Sequence, residues 1–352
     1  LTSEAVASDI SKVIDGAFCY AITWSIGSVV DSSSRARFDS FFRKLLTADC
    51  YETEEFQDFA IKNPDYIADP TKKLSQLPPA EGLVFDYIFD VKTAKWANWL
   101  DGQPNFVIPK GAQFNSIVVP TVDTIRNEWN IEILLLRGFH VMCTGDTGTG
   151  KSVSVKNKIN SGMPEMYQSM SLNFSAQTSA NQTQDLIDSK LDKRRKGVYG
   201  PALGCKMIIF VDDLNMPAKE VYGAQPPIEI LRQWMDHRGW YDRKENEGKR
   251  LVDIQFCAAM GPPGGGRTKI TQRYIRHFNV INFSNFSDES LARVFGTILD
   301  WHLGKFAGGV KSMSSNCVQA TIGIYNDISA SLLPTPTKSH YTFNLRDLSK
   351  VF

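Results

Sequence analysis

VMCTGDTGTGKS, residues 141–152, is the stretch on which the reading of the chain turns. Within it, residues 145–152 fit the pattern G-x-x-x-x-G-K-[ST]. In that pattern a run of backbone N–H groups and a helix N-terminus form a concave seat for phosphate oxygens. Glycine is needed at Gly145, Gly148 and Gly150, where a side chain would block close approach or the required φ. Asp146, Thr147 and Thr149 complete the loop. Lys151 is expected on the β- and γ-phosphates, and the Ser152 hydroxyl on Mg²⁺. The flanks agree: the apolar residues 138–144 predict a short buried strand, and residues 152–159 predict the start of a helix.

A second feature lies about sixty residues on. Residues 207–213 read MIIFVDD. An unbroken apolar run ending in acids predicts a central parallel strand, and ligands of such sheets sit at the carboxyl ends of the strands. Asp212 is thereby placed to hold Mg²⁺ through water. Asp213 follows it, where a glutamate usually polarises the attacking water.

Bulk properties narrow the field. Hydrophobic residues make up 42% of the 352-residue chain, enough for real cores, and the net charge is +1. Charge this balanced argues against a nucleic-acid or anionic-membrane partner. The six cysteines include no C-x-x-C pair, which fits reduced thiols better than disulfides or zinc. The apolar run 18–30 is too short to span a bilayer. The chain begins at Leu1 and shows no signal peptide; we read it as an excerpt of a longer polypeptide.

Along the chain, residues 1–46 read as helical. Phe38, Phe41, Phe42, Leu45 and Leu46 form an apolar stripe expected in the core. Residues 47–108 are less regular and predict two short strands and a connector. Thr121 is placed to cap a helix running to Arg137. Just before it, Val118 and Val119 fit two descriptions equally, a wrap around an adenine ring or a core edge. Residues 167–174 predict a second strand, and 176–191 a polar helix. The run DKRRK, 192–196, predicts a solvated turn. A helix over 227–237, strands over 253–260 and 278–283, and a short helix carrying Arg273 and Arg276 complete the α/β part. From Asp288 onward the pattern is helical.

These motifs, in this order, resemble an AAA+ ATPase module, a parallel sheet sandwiched by helices with small helical lid subdomains. The details resemble a dynein heavy chain of the axonemal type: FVDDLNMP at 210–217, YGAQPPIE at 222–229, LRQWMD at 231–236, GWYDR at 239–243 and RHF at 276–278 are similar to its third module. WSIG at 24–27 and RARF at 35–38 resemble the lid ending its second module. The resemblance implies a helical lid of the preceding module (1–50), a connector with short strands (51–112), a large α/β subdomain (113–287) and an incomplete helical lid (288–352). It also implies ATP or ADP with Mg²⁺, neighbouring AAA+ modules of the same heavy chain, other dynein chains, and microtubule contact only through parts absent here. The implied setting is the cytoskeleton of an axoneme.

Carried over residue by residue, Arg346 matches the lid arginine that contacts the γ-phosphate. Arg273 or Arg276 matches an arginine finger, with Arg276 preferred; a finger serves the neighbouring module's site. Two positions depart from the AAA+ pattern. Asp213 replaces glutamate and is shorter by about 1.5 Å. Gly261 stands where an asparagine often orients the water. A misplacement of about 1 Å costs on the order of 10²-fold in rate, so the expectation is a site that binds nucleotide tightly and turns over slowly. The competing expectation is a nucleotide-locked structural module that never hydrolyses.

Overall fold

The computed structural model describes residues 7–47, 54–65, 74–101, 106–109, 111, 117–338 and 340–352. Two units result, 1–104 and 105–352. Residues 1–6 of the expected first helix, Cys50, and the expected boundaries at 50–51 and 112–113 lie outside the described residues.

The first unit holds α1 (Ala7–Ser25), α2 (Arg35–Leu46), α3 (Glu54–Lys62) and a hairpin of β1 (Tyr87–Asp90) and β2 (Lys95–Asn98). Its core is Cys19, Phe42, Val84 and Phe85. Asp39 ties α2 to the segment before the hairpin, accepting from the Val84 N–H at 2.8 Å while pairing with Arg43 at 3.0 Å. The expected stripe is only partly core. Phe42 is buried and Phe38 stacks on it, but Phe41 and Leu45 are about half exposed. Positions 38 and 42 are four apart and share one face, whereas 41 and 45 lie further round the helix.

The second unit begins with α4 (Val122–Leu136), capped by Thr121, whose hydroxyl accepts from the Thr124 N–H. It then alternates strand and helix: β3 (His140–Thr144), α5 (Lys151–Ser161), β4 (Tyr167–Asn173), α6 (Ala180–Asp188), β5 (Asp192–Arg195), β6 (Val198–Gly200), β7 (Lys206–Asp212), α7 (Pro226–His237), β8 (Gly239–Tyr241), β9 (Gly248–Leu251), β10 (Ile254–Met260), α8 (Gln272–Ile275) and β11 (Phe278–Asn282). Five strands form one parallel sheet in the order β11-β3-β10-β7-β4.

Alternation along each strand sends side chains to opposite faces, and both faces are apolar. Val141, Cys143, Ile208 and Phe210 pack with Ile131 and Leu135 of α4 and Val155 and Ile159 of α5. Met142, Ile209, Val211 and Phe256 pack on the other face with Ile187 of α6 and Leu231 and Trp234 of α7. This two-sided covering is why the strands read as continuous apolar runs. Helices α9 (Asp288–Leu303), α10 (Gly308–Lys311), α11 (Ser314–Ser331) and α12 (Leu345–Ser349) follow, with Leu291, Phe295, Val318, Ile322 and Leu348 forming a small core. Among the described residues no helix is long and apolar enough to cross a membrane.

Two expectations are corrected. The charged run 192–196 contributes a strand, β5, in a second sheet ordered β5-β6-β9-β8. Its backbone pairs with β6 while its charges stay at the surface, as edge strands tolerate. The polar helix starts at Ala180 rather than 176, because Ser179 and Gln182 form a reciprocal capping box.

Candidate functional site

The site lies at the carboxyl ends of the parallel strands. β3 ends at Thr144 and α5 begins at Lys151, with the glycine-rich loop between. Two glycines show why the loop requires them. Gly145 has φ +144°, and a Cβ there would fall 2.3 Å from the Phe283 carbonyl oxygen. Gly148 has φ +90°, and its Cβ would press on Asn344 and Leu345 at 3.3 Å. The loop is thus wedged between β11's exit and the start of α12.

Lys151 is buried and curls back into the loop. Its Nζ donates to the carbonyls of Gly145 (2.8 Å) and Asp146 (2.5 Å) and to Thr149 Oγ1 (3.0 Å), so all three donors are used. Burial lowers its pKa, and the positive charge of Arg267 acts in the same direction. Thr149 in turn donates to the Asp146 carbonyl at 3.0 Å.

The next residue after Lys151, Ser152, donates its Oγ hydrogen to Asp212 Oδ1 at 2.7 Å. Lys156 Nζ reaches Asp212 Oδ2 at 3.2 Å. Lys156 escaped the sequence reading, although its spacing of four from Ser152 puts both on one helix face. A hydroxyl and a carboxylate so close are a hard-oxygen pair of the kind Mg²⁺ takes, the rest of its shell coming from water and phosphate. Such a site needs no cluster of protein ligands, and among the described residues no group of three or more His, Cys, Asp or Glu is placed to hold a metal.

Asp213 differs from its neighbour. Its φ is +51°, a left-handed conformation that aspartate tolerates better than most residues. Its carboxylate is 51% exposed, and its ion pair, to Arg267 Nη2, is long at 3.4 Å. Above the loop lies a cleft of about 830 Å³ bounded by Asp146, Thr147, Gly148, Phe286, Tyr325 and Leu345. Its size suits a drug-sized ligand; with Lys151 and Ser152 at the end of the same loop and Asp212 bonded to Ser152, the residues present fit a nucleotide with a hard divalent cation.

A family model described as "P-loop containing dynein motor region" matches residues 106–286. The chain belongs to the dynein heavy chain family. A dynein heavy chain AAA lid model matches residues 2–101, and an AAA+ lid model matches 317–352. Mouse dynein axonemal heavy chain 1 is 43% identical over 98% of the chain, and human dynein axonemal heavy chain 3 is 41% identical over 96%. Human dynein axonemal heavy chain 12 is 43% identical over 95%. The chain spans about 8% of the length of the first two relatives and 11% of the third.

Within this dynein chain the remaining candidates fall unevenly. Arg346 is exposed in the first turn of α12, directly after Leu345, which abuts Gly148. Arg276 caps α8 and donates to Asp236 of α7 at 2.8 Å, with its side chain 62% exposed. Arg273 is exposed on α8. Val119 is 5% exposed and packs with Ile108 and Ile298, while Val118 is half-buried; neither borders the cleft. Arg267, at the end of the run GPPGGGR (261–267), was not among the residues singled out from the sequence. No local motif could have found it, because its partner Asp213 is 54 residues away.

Proposed function

We propose that this chain is a regulatory AAA+ module of an axonemal-type dynein, the third of its ring, which binds ATP or ADP with Mg²⁺ and hydrolyses slowly. In this reading residues 145–151 hold the phosphates, Ser152 and Asp212 hold the metal, and Asp213 orients water. Mg²⁺ supplies Lewis acidity at the phosphoryl oxygens when bound. Arg346 reports the γ-phosphate to the lid, and Val118 and Val119 flank the adenine. Arg276 serves the preceding module as its finger. The adjacent modules of the same heavy chain are its direct partners, and the axoneme its setting. The motor's own track contact lies outside this chain.

The observation that carries the reading is the contrast between the two acids. Asp212 is held at 2.7 Å by Ser152 at the mouth of the P-loop, whereas Asp213 is half exposed and loosely paired. In this reading the metal seat is preorganised and the water-orienting acid is not. Such a module changes lid and ring geometry with its nucleotide state rather than driving a power stroke.

The test is equilibrium binding of a fluorescent (mant) ADP in Mg²⁺ buffer together with single-turnover ATP hydrolysis. The expected result is clear binding with turnover far below the usual enzymatic range of about 1–10³ s⁻¹. Lys151→Ala is expected to weaken binding by roughly a hundredfold, the scale of lost hydrogen bonds to a charged group. Binding unaffected by Lys151→Ala sinks the phosphate-loop assignment. Zero turnover that Asp213→Asn leaves unchanged identifies a nucleotide-locked structural module instead.

A further inference from the structure

Arg267 has no part in the functions assigned above, yet the fold builds a place for it. The loop that carries it is pinned at both ends. Gly264 and Arg267 exchange backbone hydrogen bonds at 3.0 Å across a turn in which Gly264, Gly265 and Gly266 all have positive φ. The next residue, Thr268, donates its N–H to the Asn215 carbonyl at 2.9 Å, and its hydroxyl accepts from Gln225 at 2.6 Å. Asn215 closes the circuit by donating its side-chain amide to the Gly261 carbonyl at 2.8 Å. The Arg267 backbone is therefore fixed to the segment just after Asp213.

Its side chain lies over Gly261. A Cβ at that glycine would fall 3.1 Å from Arg267 Nε and 3.2 Å from its Cδ. The missing side chain at 261, which removes an asparagine, is what lets the guanidinium lie down here. The Nε is buried and has no hydrogen-bond partner. Among the described residues the guanidinium's one ion pair is the 3.4 Å contact with half-exposed Asp213, longer than the roughly 2.7–2.9 Å of a good charge-assisted bond. An arginine offers five donors, and buried donors are rarely left unmatched. Its charge is also felt by Lys151. Two cations thus stand near the end of the phosphate loop, with Asp146 and Asp212 acting on Lys151 and Asp213 loosely paired with Arg267.

We propose that Arg267 is a ligand, in cis, for the terminal phosphate of a nucleoside triphosphate, occupying the space that Gly261 vacates. This rests on the nucleotide-binding function proposed above. Without a γ-phosphate the guanidinium idles on Asp213. With one, it leaves that carboxylate for a stronger anion, which frees Asp213 only in the triphosphate state. The Gly261 departure is then a replacement, a glycine and an arginine standing in for one polar side chain, and the module distinguishes ATP from ADP without a neighbour's help.

The experiment is displacement of mant-ADP from the 352-residue chain in Mg²⁺ by ADP and, separately, by the non-hydrolysable imido analogue of ATP. In Arg267→Ala the analogue's affinity is expected to fall about tenfold or more, the loss for one bond to a charged group, while ADP affinity stays within about twofold. Arg267→Lys restores part of the analogue's affinity. Equal weakening of both nucleotides, or no change in either, overturns the proposal. Failure of the unsubstituted chain to bind mant-ADP at all overturns the nucleotide function itself, a different result from a chain that binds but ignores Arg267.

Discussion

At the amino ends of the parallel strands, the His140 ring lies 5.6 Å from the Trp234 ring, 6.2 Å from Phe256 and 6.0 Å from Phe278, centroid to centroid. At the carboxyl ends of the same strands stand Asp212, Asp213 with positive φ, and a loop of positive-φ glycines. The first end is mostly apolar; the buried Tyr274 hydroxyl beside Phe278 has no hydrogen-bond partner among the described residues, but the other polar atoms at its centre are paired. His140 Nδ1 accepts from the Phe256 N–H at 3.0 Å, and Trp234 Nε1 donates to the Leu251 carbonyl at 3.2 Å. The second end keeps a buried, unpartnered Arg267 Nε and an exposed carboxylate. One sheet therefore divides its labour along the strand axis. Aromatic packing is concentrated where the strands start, and exposed or loosely paired charge where they finish.

The strongest way to break that division is Trp234→Ala. Trp234 is 1% exposed and packs edge-on against Phe256 at 5.2 Å. Truncating a buried tryptophan costs about 3–5 kcal/mol, a large share of a domain's usual margin. Chemical denaturation is expected to show that loss, with mant-ADP affinity of the remaining folded chain unchanged. If affinity falls in step with stability, the two ends are coupled and the division fails.

A gentler probe of the same end is pH. Burial pushes the His140 pKa down to about 4, and the positive charges of Arg238 and His277 act in the same direction. The unfolded chain, with an ordinary value near 6.5, takes up the proton first. His140's contribution is therefore intact above about pH 6.5 and is lost as pH falls toward 4. Linkage gives a loss of about 2 kcal/mol between pH 7 and pH 5. Denaturation of His140→Gln, which cannot titrate, is expected to show a pH dependence weaker by that amount. Equal slopes in the two proteins would place the acid sensitivity elsewhere.

Sequence legibility followed the same axis. The runs 207–211 and 254–260 announce buried strands because both faces are covered, and acids at a strand end announce a ligand edge. The P-loop is legible because its geometry requires glycine at fixed spacings. What escaped was whatever depends on distant partners. The charged run 192–196 is a strand only because β6, and beyond it β9, supply a sheet. Phe41 and Leu45 look like core until the turn of α2 carries them away from Phe85. Arg267 gains its place only through contacts distant in sequence, where Asn215 and Gln225 pin its loop.

The smallest expected effect is the sharpest on the chemistry. Gly261 does not need positive φ, so its backbone accepts other residues. The atoms that a new Cβ would meet belong to the end of the Arg267 side chain, which is free to swing away. Gly261→Asn is therefore expected to change stability by less than about 1 kcal/mol, as a substitution that creates neither cavity nor buried charge does. It should, however, drive the guanidinium off its bed and put an amide in its place. If the two arrangements are alternative solutions to one problem, Gly261→Asn loses the triphosphate preference that depends on Arg267, and adding Arg267→Ala then costs little more. Additive losses in the double variant would mean that the two positions act independently. In that case Gly261 is merely permissive, and the carboxyl end of the sheet holds its arginine for another purpose.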